Sequence, residues 1–429
     1  MIMKLKNKKI KMIDLAKELF PINRSILGPG FRKSLNYIKN IHPELKIISI
    51  KSGTKVFDWV IPDEWIINDA FIIHENGKKF AEFKKNNLHI VGYSKKIDKK
   101  MNLEELSKKI YTIPDKPKWI PYHTSYYKND WGFCMSEKER NSMPNGNYRA
   151  CIDSIHKKGL LQYGEFILKG KSKKEIFFST YLCHPSMANN ELSGPVLATQ
   201  LIDYIKNNYK KLNYTYRFIF IPETIGSIAY LSKNLKKLKK NMLAGYVLSC
   251  VGDERSYSHI ESRKGNTLSD ISIKSALIGL KNCKTYSFLE RGSDERQYCA
   301  PNIDLPVSGF CRSKYHVYPE YHSSADNFDV VTQKGLEGSF GVIKSIIDSF
   351  ECCLKPINRF FCEPQLSKYN LYYNIKSTGN DKSVKLRSDL LAYMDGSRNI
   401  FELSILLNTP LEIVRNEINL LIKSKIIKV

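Results

Sequence analysis

From about residue 160 the chain alternates short apolar runs with longer amphipathic ones, and no other feature narrows the possible folds as much. The short runs are EIFFSTYLCHP (175–185), YTYRFIFIPE (214–223), AGYVLSCVGD (244–253) and LPVSGFCR (305–312). Between and after them stand helix-like segments: 193–209, with Ser193 as cap candidate, 225–240, 268–280 and 335–353. Continuous apolar runs of strand length suit strands covered on both sides, and helical segments between them supply the cover. The pattern predicts an α/β domain with a mixed, mostly parallel sheet and flanking helices.

The rest of the chain reads differently. Residues 12–40 predict two helices around a turn from Pro21 to Gly30. Alternating β-like pieces fill 55–125. The tail 356–429 gives two short helical patterns, a longer one and a β-like end, the order of a winged helix. A length of 429 residues exceeds one ordinary domain. We therefore expect a discontinuous α/β catalytic domain (1–54 and 126–355), a small inserted β-rich domain (55–125) and a winged-helix-like domain (356–429).

Composition excludes several classes. With 25 Tyr and 20 Phe the chain is not intrinsically disordered. No apolar run approaches the roughly 18 residues of a membrane span. The basic N-terminus lacks the uninterrupted apolar core of a signal peptide, so the expected location is cytoplasmic and no membrane partner is expected. The ten Cys are scattered without a CxxC pair, which argues against a zinc ribbon or a redox motif. The formal charge of +25 invites a nucleic-acid reading. Only 14 of the 68 basic residues are Arg, however, and the Lys are spread along the chain. The longest tail helix (411–423) offers Arg415, Asn416, Glu417 and Asn419, a thin set for binding DNA. Nucleic acid is not the expected partner; an anionic substrate or partner fits the charge equally well, and the C-terminal module reads as a protein contact or as part of a homodimer.

Functional groups in open α/β sheets gather beyond the carboxyl ends of strands. Three strand runs end on chemistry-bearing residues: His184, Glu223 and Asp253. A fourth cluster, Tyr318 to Asp326, carries His322. Imidazole and carboxylate are the usual ligands of a catalytic zinc, and a nearby Glu can act as general base. Taken singly, each residue also suits a packing, capping or loop role; their common placement at strand ends favours the metal. His316 and His123 read as packing or substrate-side residues. Without Gly-x-Ser-x-Gly or a Gly-rich phosphate loop, a serine hydrolase and a nucleotide-binding loop are not indicated.

The stretches STYLCHPSMANNELSGP, FIFIPETIGSIAYL, VLSCVGDERSYSHIESRKGNTLSD, ERGSDERQYC and YPEYHSSADNFD resemble the motifs of a zinc aminopeptidase-like family, the aminopeptidase/glutamate-carboxypeptidase kind of zinc exopeptidase. RSILGPGFRKSL, FDWVIPDEWIINDAFI and TSYYKNDWGFC extend the resemblance over nearly the whole chain. It points to a bacterial subfamily with an inserted small β domain and a C-terminal winged helix, linked to polysaccharide or natural-product biosynthesis. The resemblance implies a zinc-exopeptidase-like fold, His184, Asp253 and His322 as metal ligands, and Glu223 as general base. It also exposes departures. Asn190 stands where relatives place a metal-bridging Asp, with Glu191 next to it. Thr224 stands where they place a second Glu. Loss of two carboxylates implies one zinc ion rather than two. By the same resemblance Arg296, Asp294 and Arg263 border the substrate. The expected function is zinc-dependent hydrolysis of a small amide or peptide. The alternatives are a catalytically degenerate ligand- or partner-binding relative, and a regulator acting through the winged helix.

Overall fold

The computed structural model describes residues 11–371 and 382–428. The basic start at 1–10 and the part of the tail at 372–381 lie outside the described residues.

The main sheet among the described residues has eight strands. In spatial order they are Lys46–Lys51, Leu160–Leu168, Thr215–Ile221, Glu175–Tyr181, Met242–Leu248, Val307–Cys311, Tyr257–Ile260 and Cys283–Tyr286. The four central strands, from Thr215–Ile221 to Val307–Cys311, run parallel. Antiparallel pairings join them to the strands outside on either side. All seven residues of Glu175–Tyr181 and of Thr215–Ile221 are buried, as a parallel sheet covered on both faces requires.

The chain crosses from Glu175–Tyr181 to its neighbour on one side through helix Ser193–Asn208. It then returns to the neighbour on the other side through helix Ile225–Asn241. Right-handed crossovers in opposite directions put the two helices on opposite faces. They also open a crevice at the carboxyl end of Glu175–Tyr181, where the direction of winding reverses. Helix Ser193–Asn208 starts hard against the sheet: a Cβ on Gly194 would stand 2.3 Å from both Leu248 O and Thr180 Oγ1. Only glycine lets the helix start come that close.

A second sheet, antiparallel throughout, has the order Lys79–Phe80, Glu64–His74, Asn147–Lys157, Ile97–Asn102. The sequence pattern placed the return to the large domain at 126. Strand Asn147–Lys157 nevertheless pairs along Glu64–His74, so this sheet draws on residues beyond that point.

Helices Lys382–Ala392, Ile400–Leu406 and Leu411–Lys423, with strand Ile427–Lys428 paired to Ile357–Asn358, form the C-terminal winged helix. One sequence expectation fails here. Arg415, expected on an exposed face, is 9% exposed: its Nη1 donates to Ser345 O and Oγ (3.2 Å each) on helix Gln333–Cys352. Glu417 accepts from Arg387 Nε (3.0 Å), and Asn419 Oδ1 lies 3.1 Å from Cys352 Sγ. Much of the polar face of the third helix is spent on its own chain, because those side chains meet partners about 30 and 70 residues away that periodicity does not reveal.

Candidate active site

His184 sits just past the end of strand Glu175–Tyr181, at the crevice. One turn of π-helix, Ala188–Leu192, follows it and brings Glu191 back towards the ring. Such turns recur at functional sites because they re-aim one side chain without ending the helix. His184 Nδ1 lies 2.5 Å from Glu191 Oε2, and Nε2 lies 3.6 Å from Glu223 Oε2. A carboxylate at Nδ1 fixes the ring's orientation and leaves Nε2 facing the pocket. Burial opposes the imidazolium, but Tyr122, Glu191 and Cys183 together outweigh it and hold the pKa well above the histidine range. A cation bound to this ring must displace that proton.

Glu223 follows strand Thr215–Ile221. Its Oε1 accepts from Ser293 Oγ at 3.3 Å, and burial pushes its carboxyl above the usual range, against the opposing pull of His184. Thr224, next in the chain, has φ 62° and ψ −76°, a conformation that a β-branched residue adopts only when its surroundings enforce it. The surroundings are visible: Thr224 N donates to Asp294 Oδ1 (2.8 Å), and Thr224 Oγ1 accepts from Arg296 Nη2 (2.6 Å).

Ser227 Oγ also donates to Asp294 Oδ1, at 2.9 Å. Burial, helped by the charge of Glu223, pushes the Asp294 carboxyl up to about 8 from an ordinary 3.8. The folded state therefore holds a proton that the unfolded chain releases. Stability should fall as pH rises from about 4 to about 8, because there the folded state binds more protons than the unfolded one. Asp294→Asn keeps an acceptor for Thr224 and Ser227 and should flatten that slope. Urea midpoints of both proteins at about pH 5 and about pH 8 check this; parallel slopes would contradict it.

His322 is held at φ 55°, its ring stacked on Tyr321 with centroids 3.9 Å apart. Its centroid lies 5.4 Å from that of His184, and Nε2 is buried without a partner among the described residues. Burial, then the nearby His184, lowers its pKa to about 2, so the ring is neutral with a free lone pair to offer.

The remaining expected ligands are placed otherwise. Asp253 Oδ2 accepts from Asn189 Nδ2 (3.1 Å) and Ser313 N (2.8 Å), and Oδ1 from Arg255 N (2.9 Å) and Ser313 Oγ (2.8 Å). Both oxygens are thus engaged in tying loops together. Asn190 turns its amide NH₂ to Tyr181 OH at 3.1 Å, while its Oδ1 is buried and unpartnered. Asp326 holds the π-helical turn itself, accepting from the N–H of Asn189 (2.6 Å) and of Asn190 (2.9 Å). Arg263 pairs with Asp304 at 2.6 Å beside a separate, smaller pocket whose lining does not include His184. Arg296 does line the central pocket, and Asp294 stands behind Thr224.

That pocket has a volume of about 470 Å³ and contains His184, Glu223, Thr224, Arg296 and His322. The rest of its lining includes Trp59, Tyr122, His123, Tyr126 and Tyr127. Tyr122 N donates to His322 O (2.9 Å), and Ser324 N to Ile120 O (2.8 Å), so residues 120–122 are laced to the loop that carries His322. Sequence reasoning did not assign this aromatic wall. It also missed Arg24, a fully buried cation whose Nε donates to His184 O (3.0 Å) and whose Nη1 donates to Leu19 O (2.6 Å). The only signal for Arg24 was a basic residue in an otherwise uncharged stretch.

Cys183, His184 and Glu191 each offer a ligand atom within 4.8 Å of the others. Glu191 Oε1 and His322 Nε2 are buried without partners. Imidazole, carboxylate and thiol are all zinc-type donors, and unpartnered buried acceptors are what a missing cation leaves behind. The residues present fit one divalent ion.

The comparisons agree with this architecture. Residues 13–352 match the family model described as domain of unknown function DUF4910, and residues 355–429 match a winged helix-turn-helix model. A Clostridium acetobutylicum protein, named for polysaccharide biosynthesis with an aminopeptidase-like domain, is 41% identical over 364 residues, 84% of this chain and 83% of its own. A crystal structure from the same species, named as a candidate peptidase, superposes with a TM-score of 0.88 at 36% identity, over 97% of this chain and 95% of that one. The zinc aminopeptidase of Bacillus subtilis shares the fold, with a TM-score of 0.57 at 13% identity over 79% of this chain and 94% of that one. The chain belongs to the DUF4910 family, an aminopeptidase-like α/β fold, and carries a C-terminal winged helix.

Proposed function

We propose that the protein is a metal-dependent hydrolase of an amide bond, working with a single divalent ion, zinc by preference of its donors. The observation that carries this reading is His184 set between two carboxylates, Glu191 and Glu223, in a pocket of about 470 Å³. His184, Glu191 and Cys183 would hold the ion, with His322 Nε2 as a further donor. When bound, such an ion polarises a substrate carbonyl and brings the pKa of water towards neutrality. Glu223 takes the proton of the attacking water on Oε2 and passes it to the leaving nitrogen. Its raised pKa suits a group that must both accept and return a proton near neutral pH. Glu191 Oε2 orients His184 and leaves its unpartnered Oε1 for the ion, and Trp59, Tyr122, Tyr126 and Tyr127 give the substrate an aromatic surface.

The name of the C. acetobutylicum relative supports a substrate from a biosynthetic route rather than general peptides. The docked third helix of the C-terminal domain supports a structural or protein-contact role for that domain and not a DNA-reading one. Among the described residues no helix is long and apolar enough to cross a membrane.

Metal content per chain, measured on purified protein that has never met a chelator, is the test. The expected result is about one zinc, lost in His184→Ala. A chain that stays empty after exposure to zinc at about micromolar concentration contradicts the hydrolase. It would favour a second reading, a ligand-binding relative without catalysis, which the full engagement of Asp253 by Asn189, Arg255 and Ser313 supports.

A further inference from the structure

An enzyme that acts at a free amino terminus needs an anionic group in its pocket to hold the substrate's ammonium. The carboxylates around this pocket, Glu223 apart, do not line it, and each has at least one oxygen engaged. Glu191 is bound to His184, and Asp253 to Asn189 and Ser313. Asp326 is capped by the N–H groups of the π-helical turn and by Tyr318 OH at 2.8 Å. One oxygen of Glu295 takes Gly292 N (2.9 Å), Ser293 N (3.1 Å) and Tyr315 OH. Asp294 lies behind Thr224, fully buried. Among the described residues Glu223 is the one acid that lines the pocket, and it faces His184.

The cation on the pocket wall is in the opposite situation. Arg296 is exposed at its rim and gives one N–H to Thr224 Oγ1. That bond fixes the guanidinium's place and leaves most of its five donors free. Thr224 is in turn locked in its strained conformation through Asp294, so the placement is built into the fold. The same pocket has an aromatic wall: Trp59 and Tyr127, 39% and 53% exposed, stand edge to face with centroids 5.6 Å apart. The whole chain, at +25, attracts anions.

We propose that the pocket takes an amide that carries an oxyanion, a carboxylate or a phosphate, which Arg296 reads while Trp59 and Tyr127 cover the substrate's flat or apolar face. The amine side of such a substrate is blocked or absent. This deepens the hydrolase reading by naming the substrate class, but the binding it describes does not require turnover.

Calorimetric titration of the full chain with a matched set tests it: N-acetylphenylalanine, its neutral carboxamide, phenylalaninamide with a free ammonium, and inorganic phosphate. N-acetylphenylalanine should bind about tenfold tighter than its carboxamide, the scale of one charge-assisted contact, and phenylalaninamide weakest. Arg296→Gln should erase the advantage of the carboxylate, and Arg296→Lys should keep part of it. Displacement of N-acetylphenylalanine by phosphate would mark the anion as a phosphate type; its persistence would mark a carboxylate. Tightest binding by phenylalaninamide, or a carboxylate advantage that survives in Arg296→Gln, overturns the proposal. The two readings fail separately. A binding order as expected with no hydrolysis of any probe defeats the hydrolase alone, whereas hydrolysis of phenylalaninamide without a carboxylate preference defeats only the substrate class.

Discussion

Glu223→Gln should lower kcat for amide hydrolysis by about 10²–10⁴-fold, the usual contribution of a placed general base, while metal content stays as in the parent protein. Gln has nearly the shape of Glu and can still accept the hydrogen bond from Ser293 Oγ. What it lacks is a lone pair basic enough to take a proton at the position 3.6 Å from His184 Nε2. KM should change little, because the loss falls on the step that moves the proton. A variant that hydrolyses the amide at the parental rate would remove Glu223 from the mechanism, and with it the reason for reading the His184 crevice as catalytic.

The second large effect concerns stability. Arg24→Met should shift the urea midpoint down, by the equivalent of about 1–3 kcal/mol. The buried carbonyl of His184 loses its donor, and an unsatisfied buried group costs about that much, whereas Leu19 O keeps the N–H of Ile22 at 3.2 Å. Against a typical total of about 5–15 kcal/mol this is a large loss for one side chain. Burial lowers the Arg24 pKa to about 10, and the nearby Glu191 acts against that loss of charge. Arg24→Lys keeps the charge but cannot fork to both carbonyls, so it should fall between. An unchanged midpoint in Arg24→Met would show that water replaces the guanidinium, and that Arg24 does not hold His184 in place.

The strands were legible because burial on both faces forces continuous apolar runs, as in Glu175–Tyr181 and Thr215–Ile221. His184 and Glu223 were legible for a related reason, since each follows such a run. The strand after Asn147 was not: its buried positions, Tyr148, Ala150, Ile152 and Ser154, include a small and a polar residue, and its pairing with Glu64–His74 is what identifies it. Asp253 stood at the right strand end, yet its role turns on Asn189 and Ser313, about 60 residues away on either side, which take its oxygens. Position along a strand is written locally; what a side chain is bonded to there is not. The same holds for Arg263, which lies within a motif in sequence but answers to Asp304 in space.

The backbone bond from Tyr122 to His322, with its neighbour between Ser324 and Ile120, has a mechanical consequence. Tyr122 and His322 line the same pocket from two distant stretches of chain. Residues 120–122 cannot shift without either severing these bonds or dragging His322 out of position. The width of the pocket and the placement of its second imidazole are therefore one variable, and whatever widens the first disturbs the second.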